Sequence, residues 1–133
     1  MTEDQPQLLH ERHYTREEAN ALLPQLKPLL LKLRDAKDQL TDEEAHEVLG
    51  EAAPGNGGGE EGVQVGQAFL EVRNMLEALN EAGIVVRDLD RGLIDFPSLF
   101  DDEEIYLCWE LGEDSVDYWH DLDSGYGGRE PLD

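Results

Sequence analysis

The chain has 133 residues and a mass of 15.0 kDa, the size of one compact domain with a single modest core. Its 32 Asp and Glu against 10 Lys and Arg give a formal charge of -22, which repels a phosphate backbone and excludes nucleic acid as a partner. A hydrophobic content of 39% lies above the range of disordered chains, and a lone cysteine excludes both an internal disulfide and a Cys-rich zinc site.

Residues 1–13 are polar, contain Pro6 and read as a frayed tail, so the expected single domain spans 14–133. Met1-Thr2-Glu3-Asp4 lacks the positive start of a signal peptide, and no apolar run approaches a membrane span, which predicts a cytoplasmic protein without membrane contact. Thr15-Arg16-Glu17-Glu18 is a capping box, predicting a helix over 16–22. Pro24 removes a donor and crowds the preceding turn, so a kink or a restart is expected there. Leu26, Leu29, Leu30, Leu33, Ala36 and Leu40 then recur at helical spacing, one apolar stripe on a long helix reaching about Leu49. Residues 51–62, with Pro54-Gly55-Asn56-Gly57-Gly58-Gly59, read as a flexible connector. A phosphate-cradling loop would need Lys-Ser or Lys-Thr next, and Glu60-Glu61 follows instead. From Val63 a second helix carries Val65, Phe69, Val72, Leu76 and Leu79 on one face and stops at Gly83.

After Gly83 the period changes to two. Ile84-Val85-Val86 and Leu93-Ile94-Asp95-Phe96 flank the turn Asp90-Arg91-Gly92 and predict a hairpin ended by Pro97. Glu104 to Leu111 alternates, with Ile105, Leu107, Trp109 and Leu111 on one face and Glu104, Tyr106, Cys108 and Glu110 on the other. Val116 to His120 fits either a fourth strand or a helical turn, and the glycines after Ser124 predict an irregular close. The expected fold is α+β, a long antiparallel helical hairpin packed on a small three- or four-stranded antiparallel sheet. Leucine-rich helices projecting beyond so small a sheet would expose apolar surface, which predicts a homodimer or cover by an unidentified protein partner.

The pieces from Asp90 through Pro97, Ile105-Tyr106-Leu107-Cys108-Trp109, Leu111-Gly112-Glu113, Tyr118-Trp119-His120 and Gly125 to Arg129 occur in an order that resembles the prokaryotic domain-of-unknown-function family 2203. Thr15 to Pro24 is similar to that family's opening helix. The resemblance implies no activity, and no catalytic residue is carried over from it.

Eleven carboxylates between Arg91 and Arg129 have no Lys or Arg among them, an excess that salt, a bound cation or a basic partner would relieve. Asp88-Leu89-Asp90-Arg91-Gly92 and Asp121-Leu122-Asp123-Ser124-Gly125 set alternate carboxylates beside a glycine turn, as a hard-cation site of Mg, Mn or Ca does. The bidentate Glu of a full calcium loop is missing, and Asp in a turn is also ordinary hairpin chemistry. His120 beside these carboxylates supplies the imidazole of a candidate divalent site made of Asp88, Asp90, His120, Asp121 and Asp123. His120 equally suits a backbone hydrogen bond that locks the sheet. Arg91 and Arg129 are candidates for an anion clamp or for plain neutralisation of neighbouring acids. Cys108, without a basic neighbour in sequence, reads as an inert strand thiol, and Trp109 and Trp119 as core or rim anchors. Two functions stand open on this evidence: a non-enzymatic assembly or regulatory module, and a divalent-cation-dependent enzyme or binding protein built on the Asp/His set.

Overall fold

The computed structural model describes residues 8–52 and 66–133. Three helices come first, α1 (Arg16–Asp38), α2 (Asp42–Ala52) and α3 (Gln67–Glu81). The strands β1 (Val85–Asp88), β2 (Leu93–Phe100), β3 (Glu103–Glu110), β4 (Tyr118–Asp121) and β5 (Glu130–Pro131) follow and form one antiparallel sheet in sequence order. The α+β class is therefore as predicted, while two parts of the architecture are corrected. The sheet has five strands rather than three or four, and the helical layer is not a simple two-helix hairpin. Most of the connector 51–62, and Val63 and Val65 of the predicted second stripe, lie outside the described residues.

Helix α1 does not restart at Pro24. It runs unbroken through Pro24 and Pro28, starting on the predicted Thr15–Glu18 capping box. Both prolines are exposed and spaced four apart, so the carbonyls they leave unpaired share the solvent side and can bond water. The opposite side buries Ala19, Leu23, Leu26, Leu30, Leu33 and Ala36, each buried leucine contributing roughly 1.5–3 kcal/mol. The chain breaks instead at Gln39–Thr41, where Thr41 and Glu44 exchange a second capping box (Glu44 N–H to Thr41 Oγ1 at 3.1 Å, Thr41 N–H to Glu44 Oε1 at 3.0 Å) and open α2.

Helix α3 packs against both α1 and α2, burying Phe69, Val72, Leu76 and Leu79. Its end is a full Schellman motif: Gly83 at φ +81° places its N–H on the Asn80 carbonyl and the Ile84 N–H on the Leu79 carbonyl. The apolar stripes predicted to need a second copy are covered within one chain, Leu26, Leu33, Val72 and Leu79 each being at most 5% exposed. No helix among the described residues is long and apolar enough to cross a membrane.

Strand β2 continues through Pro97 to Phe100 instead of ending at the proline. The Pro97 carbonyl accepts from Tyr14 N–H at 2.7 Å, so the main-chain groups of this residue point to the β1 side and its missing N–H costs no rung with β3. A two-residue turn, Asp101 (φ 51°) and Asp102 (φ 68°), joins β2 to β3. Gly92 is required where the β1–β2 turn meets the sheet, because a side chain there would collide with Leu111 and its φ is +63°. Within 116–120 the strand takes only residues 118–120, as part of β4, which pairs with β3, and the closing segment returns as β5 with Leu132 N–H on the Asp117 carbonyl at 2.8 Å.

Side-chain parity divides the sheet as the alternation predicted. Ile94, Phe96, Ile105, Leu107 and Trp109 join the helical core. The opposite face is also closed: Asp95, Tyr106, Cys108 and His120 are all at most 3% exposed. Burial on both faces of β2 and β3 makes that second face the place to look for chemistry, because its polar groups are held out of water.

Candidate metal centre

Asp95 and Cys108 are direct cross-strand partners on the second face, and His120 reaches them from β4, where it opposes Tyr106. One carboxylate oxygen of Asp95, the Cys108 Sγ and one ring nitrogen of His120 lie within 4.8 Å of one another. The three residues are 1%, 1% and 2% exposed. A tetrahedral ion with bonds of about 2.0 to 2.3 Å separates its ligands by roughly 3.3 to 3.7 Å, so a contraction of about an ångström would seat one.

Each member of the trio is oriented by a neighbour. His120 Nδ1 faces the Asp121 carbonyl at 2.7 Å, an atom that can only accept, so Nδ1 carries a hydrogen and Nε2 is turned toward the trio. An Nδ1 held on a carbonyl is the usual support for a metal-binding imidazole, but Nε2 here faces Asp95 Oδ2 at 3.0 Å, a contact that an ion would have to replace. Asp95 Oδ2 accepts from Arg87 Nε at 2.7 Å and lies 3.0 Å from His120 Nε2. Asp95 Oδ1 is buried and has no hydrogen-bond partner among the described residues. An unmatched buried carboxylate oxygen costs free energy unless a proton or cation meets it. Burial, together with the Asp95 carboxylate, pushes the Cys108 thiol up to about 12, while Arg129, whose Nη1 lies 3.9 Å from Sγ, pulls the other way. A thiol so poised is not a nucleophile at neutral pH. It becomes a ligand only when a metal displaces its proton.

A family model described as an uncharacterized conserved protein family, DUF2203, matches residues 12–132. The chain belongs to this family. No curated protein and no solved structure matches it. The stretch matched by DUF2203 contains Asp95, Cys108 and His120.

Within this DUF2203 chain the two Asp-Leu-Asp turns do not meet. Asp88 and Asp90 lie where β1 turns into β2, at the end of β3 marked by Glu110, whereas Asp121 pairs with Ile105 near the other end. About 17 Å of β3 separates those two levels. Asp88 Oδ1 accepts from Arg91 N–H at 3.2 Å, and Asp90 Oδ1 from Lys37 Nζ at 2.8 Å. Asp121 Oδ1 accepts from the N–H groups of Ser124 and Asp123, bonds that hold its carboxyl below the usual range. Asp123 is exposed. Of the five residues singled out for a cation, His120 alone enters the buried trio.

Arg91 and Arg129 do come together at one ring: each guanidinium carbon lies 4.3 Å from the centroid of Tyr126. Arg91 Nε donates to Glu110 at 2.7 Å, and Arg129 is bidentate to Glu113 at 2.7 and 3.2 Å. Both cations are neutralised by carboxylates of this chain, which favours the plain reading over the anion clamp. Trp109 is fully buried and its indole N–H donates to the Glu113 carbonyl at 3.1 Å; Trp119 packs at the core's edge.

Asp95 and Cys108 escaped the sequence reading because their meaning depends on register. The one available signal was an Asp on the non-core parity of a strand flanked by Ile94 and Phe96, which asks for a buried partner.

Proposed function

We propose that this chain is a non-enzymatic binding module whose second sheet face takes one divalent transition-metal ion through Asp95, Cys108 and His120. The observation that carries the reading is the unmatched Asp95 Oδ1, on a carboxyl whose other oxygen lies 3.0 Å from the His120 ring and which groups with the Cys108 thiol. A carboxylate, an imidazole and a thiolate together suit Zn or Co. Mg and Ca, which prefer all-oxygen shells, are poorly matched by that set. Near-complete burial of all three groups leaves no room for a substrate at the ion, which supports a structural or regulatory site over a catalytic one.

Calorimetric titration of metal-free protein with Zn, Co, Mn, Mg and Ca ions tests this. Zn and Co should saturate at one ion per chain, Co with a thiolate charge-transfer band that Cys108→Ser abolishes. No saturable heat with Zn or Co would leave the trio as a polar core held by the contacts of Asp95 with Arg87 at 2.7 Å and His120 at 3.0 Å, the reading that those two distances favour.

A further inference from the structure

Glu104, at the start of β3, projects from the same sheet face as Cys108, and its side chain is only 6% exposed. One of its oxygens accepts from Leu9 N–H at 2.6 Å, and the other from His10 N–H at 2.8 Å and faces His13 Nε2 at 2.8 Å. One carboxylate therefore gathers three partners from a five-residue segment that the sequence placed in a frayed tail. Downstream the segment is pinned by Tyr14, whose N–H meets the Pro97 carbonyl and whose hydroxyl donates to the Ala82 carbonyl at 2.6 Å. At its upstream end Leu8 and Leu9 are 44% and 66% exposed.

The held segment leans on the candidate metal centre through one ring. His10 Nε2 lies 2.7 Å from the Tyr106 hydroxyl, and the two rings meet edge to face at 5.3 Å. The Tyr106 ring in turn packs on His120 at 5.3 Å, with Arg87 stacked over it at 4.8 Å. Tyr106, strand neighbour of Cys108 on this face, thus stands between the segment and the trio.

We propose that residues 9–13 are a latch, held shut by Glu104, that controls entry to the Asp95–Cys108–His120 site. The ion that passes rests on the function proposed above; the latch itself does not. Removing Glu104 returns the Leu9 and His10 amides to water, frees the His10 ring from Tyr106, and leaves Tyr106 able to swing off His120. The rest of the fold keeps its own anchors.

Cys108 is the only cysteine, so its labelling by iodoacetamide reads access to the site with no metal present. In metal-free protein, Glu104→Ala should label about tenfold faster than wild type or more, and Glu104→Gln by less, as expected when charge-assisted bonds holding a local opening are lost. Hydrogen exchange in the same samples should rise at residues 9–13 while β2 and β3 stay protected. Tyr106→Phe, which deletes only the hydroxyl facing His10, is the variant to use if Glu104→Ala loses protection everywhere, and it too should label faster. Exchange that reports a released segment with labelling within twofold of wild type would overturn the latch, as would a segment that stays protected without Glu104. In zinc-loaded protein, stripping by excess chelator should quicken by the same factor as labelling. Absence of zinc binding in wild type would sink the metal reading alone, and the labelling comparison would still decide the latch.

Discussion

Asp95 is a nearly fully buried carboxylate whose direct cation is Arg87, itself 41% exposed at the side chain. Arg87→Met would leave that charge with His120 Nε2, 3.0 Å away, as its remaining partner, and the expected loss is about 2 kcal/mol, below the usual cost of breaking a buried pair because Arg87 is half in water and the imidazole stays in place. Adding Asp95→Leu to Arg87→Met should recover much of it. Urea unfolding of the single and double variants checks this; a single variant within about 0.5 kcal/mol of wild type would mean that the pair holds nothing. Cys108 gives a second test at the same scale. Its folded thiol is raised above the ordinary value, so its contribution is fully present below the unfolded value of about 8.5 and lost as pH rises toward the folded value of about 12. Wild type should therefore lose stability above pH 8.5 more steeply than Cys108→Ala, by about 1.4 kcal/mol per pH unit. Parallel slopes in thermal melts between pH 8 and 11 would show that the thiol is not held protonated. Glu104 works in the opposite direction: burial would raise it, but bonds from Leu9, His13 and His10 bring it below the usual range. Its contribution is present above the ordinary glutamate value and fades as pH falls through the lower folded one, so exchange at residues 9–13 should rise first on acidification. These residues show why the site was only partly legible. His120 was visible as a lone imidazole beside acid, but no spacing in the sequence brings it to Asp95 and Cys108, twenty-five and twelve positions away; the β2–β3–β4 register does that.

The elements were read well where a local rule acted alone. Thr15–Glu18 capped α1, Gly83 closed α3, and the Glu104–Leu111 alternation gave both the strand and the correct core face. Misreadings came where two rules competed. Pro24 looked like a breaker, yet an exposed proline in a helix with a strong buried stripe leaves its orphan carbonyl to water, and the stripe wins. The true break carried the same Thr-x-x-Glu signal at Thr41–Glu44 but lay inside a continuing apolar period, which masked it. The β2–β3 turn lacked the glycine that marks such hairpins, because Asp101 and Asp102 hold the left-handed conformation themselves. That substitution has a measurable cost. Asp101→Asn with Asp102→Gly should raise stability by about 1 kcal/mol, since Asn-Gly fits a turn with both central residues at positive φ. Melting at about 0.5 M salt separates this backbone gain from the loss of two negative charges. A variant no more stable than wild type there would mean that the Asp side chains repay the strain through bonds of their own.

For the molecule as a whole, the dominant fact is a charge of -22 on a chain whose described helical stripes are buried within one copy. Three of the four cations of the second half are engaged locally, Arg87 with Asp95, Arg91 with Glu110 and Arg129 with Glu113. Asp101, Asp102, Glu103, Asp114 and Asp123 remain exposed around a sheet that also shows Leu99 and Phe100 to solvent. Two such surfaces repel at low ionic strength, and so do the acids within one copy, because the Debye length then exceeds their spacing. Raising NaCl from about 20 mM to about 500 mM shortens that length from about 20 Å to about 4 Å, and the melting midpoint should climb by several degrees. The exposed apolar tip has less to oppose its association under the same change, so light scattering should report more self-association at the higher salt if copies meet there. A midpoint that stays flat or falls across the series would mean that the carboxylates are spaced widely enough, or solvated well enough, for the net charge to carry no stability penalty. The acidity would then bear on solubility alone.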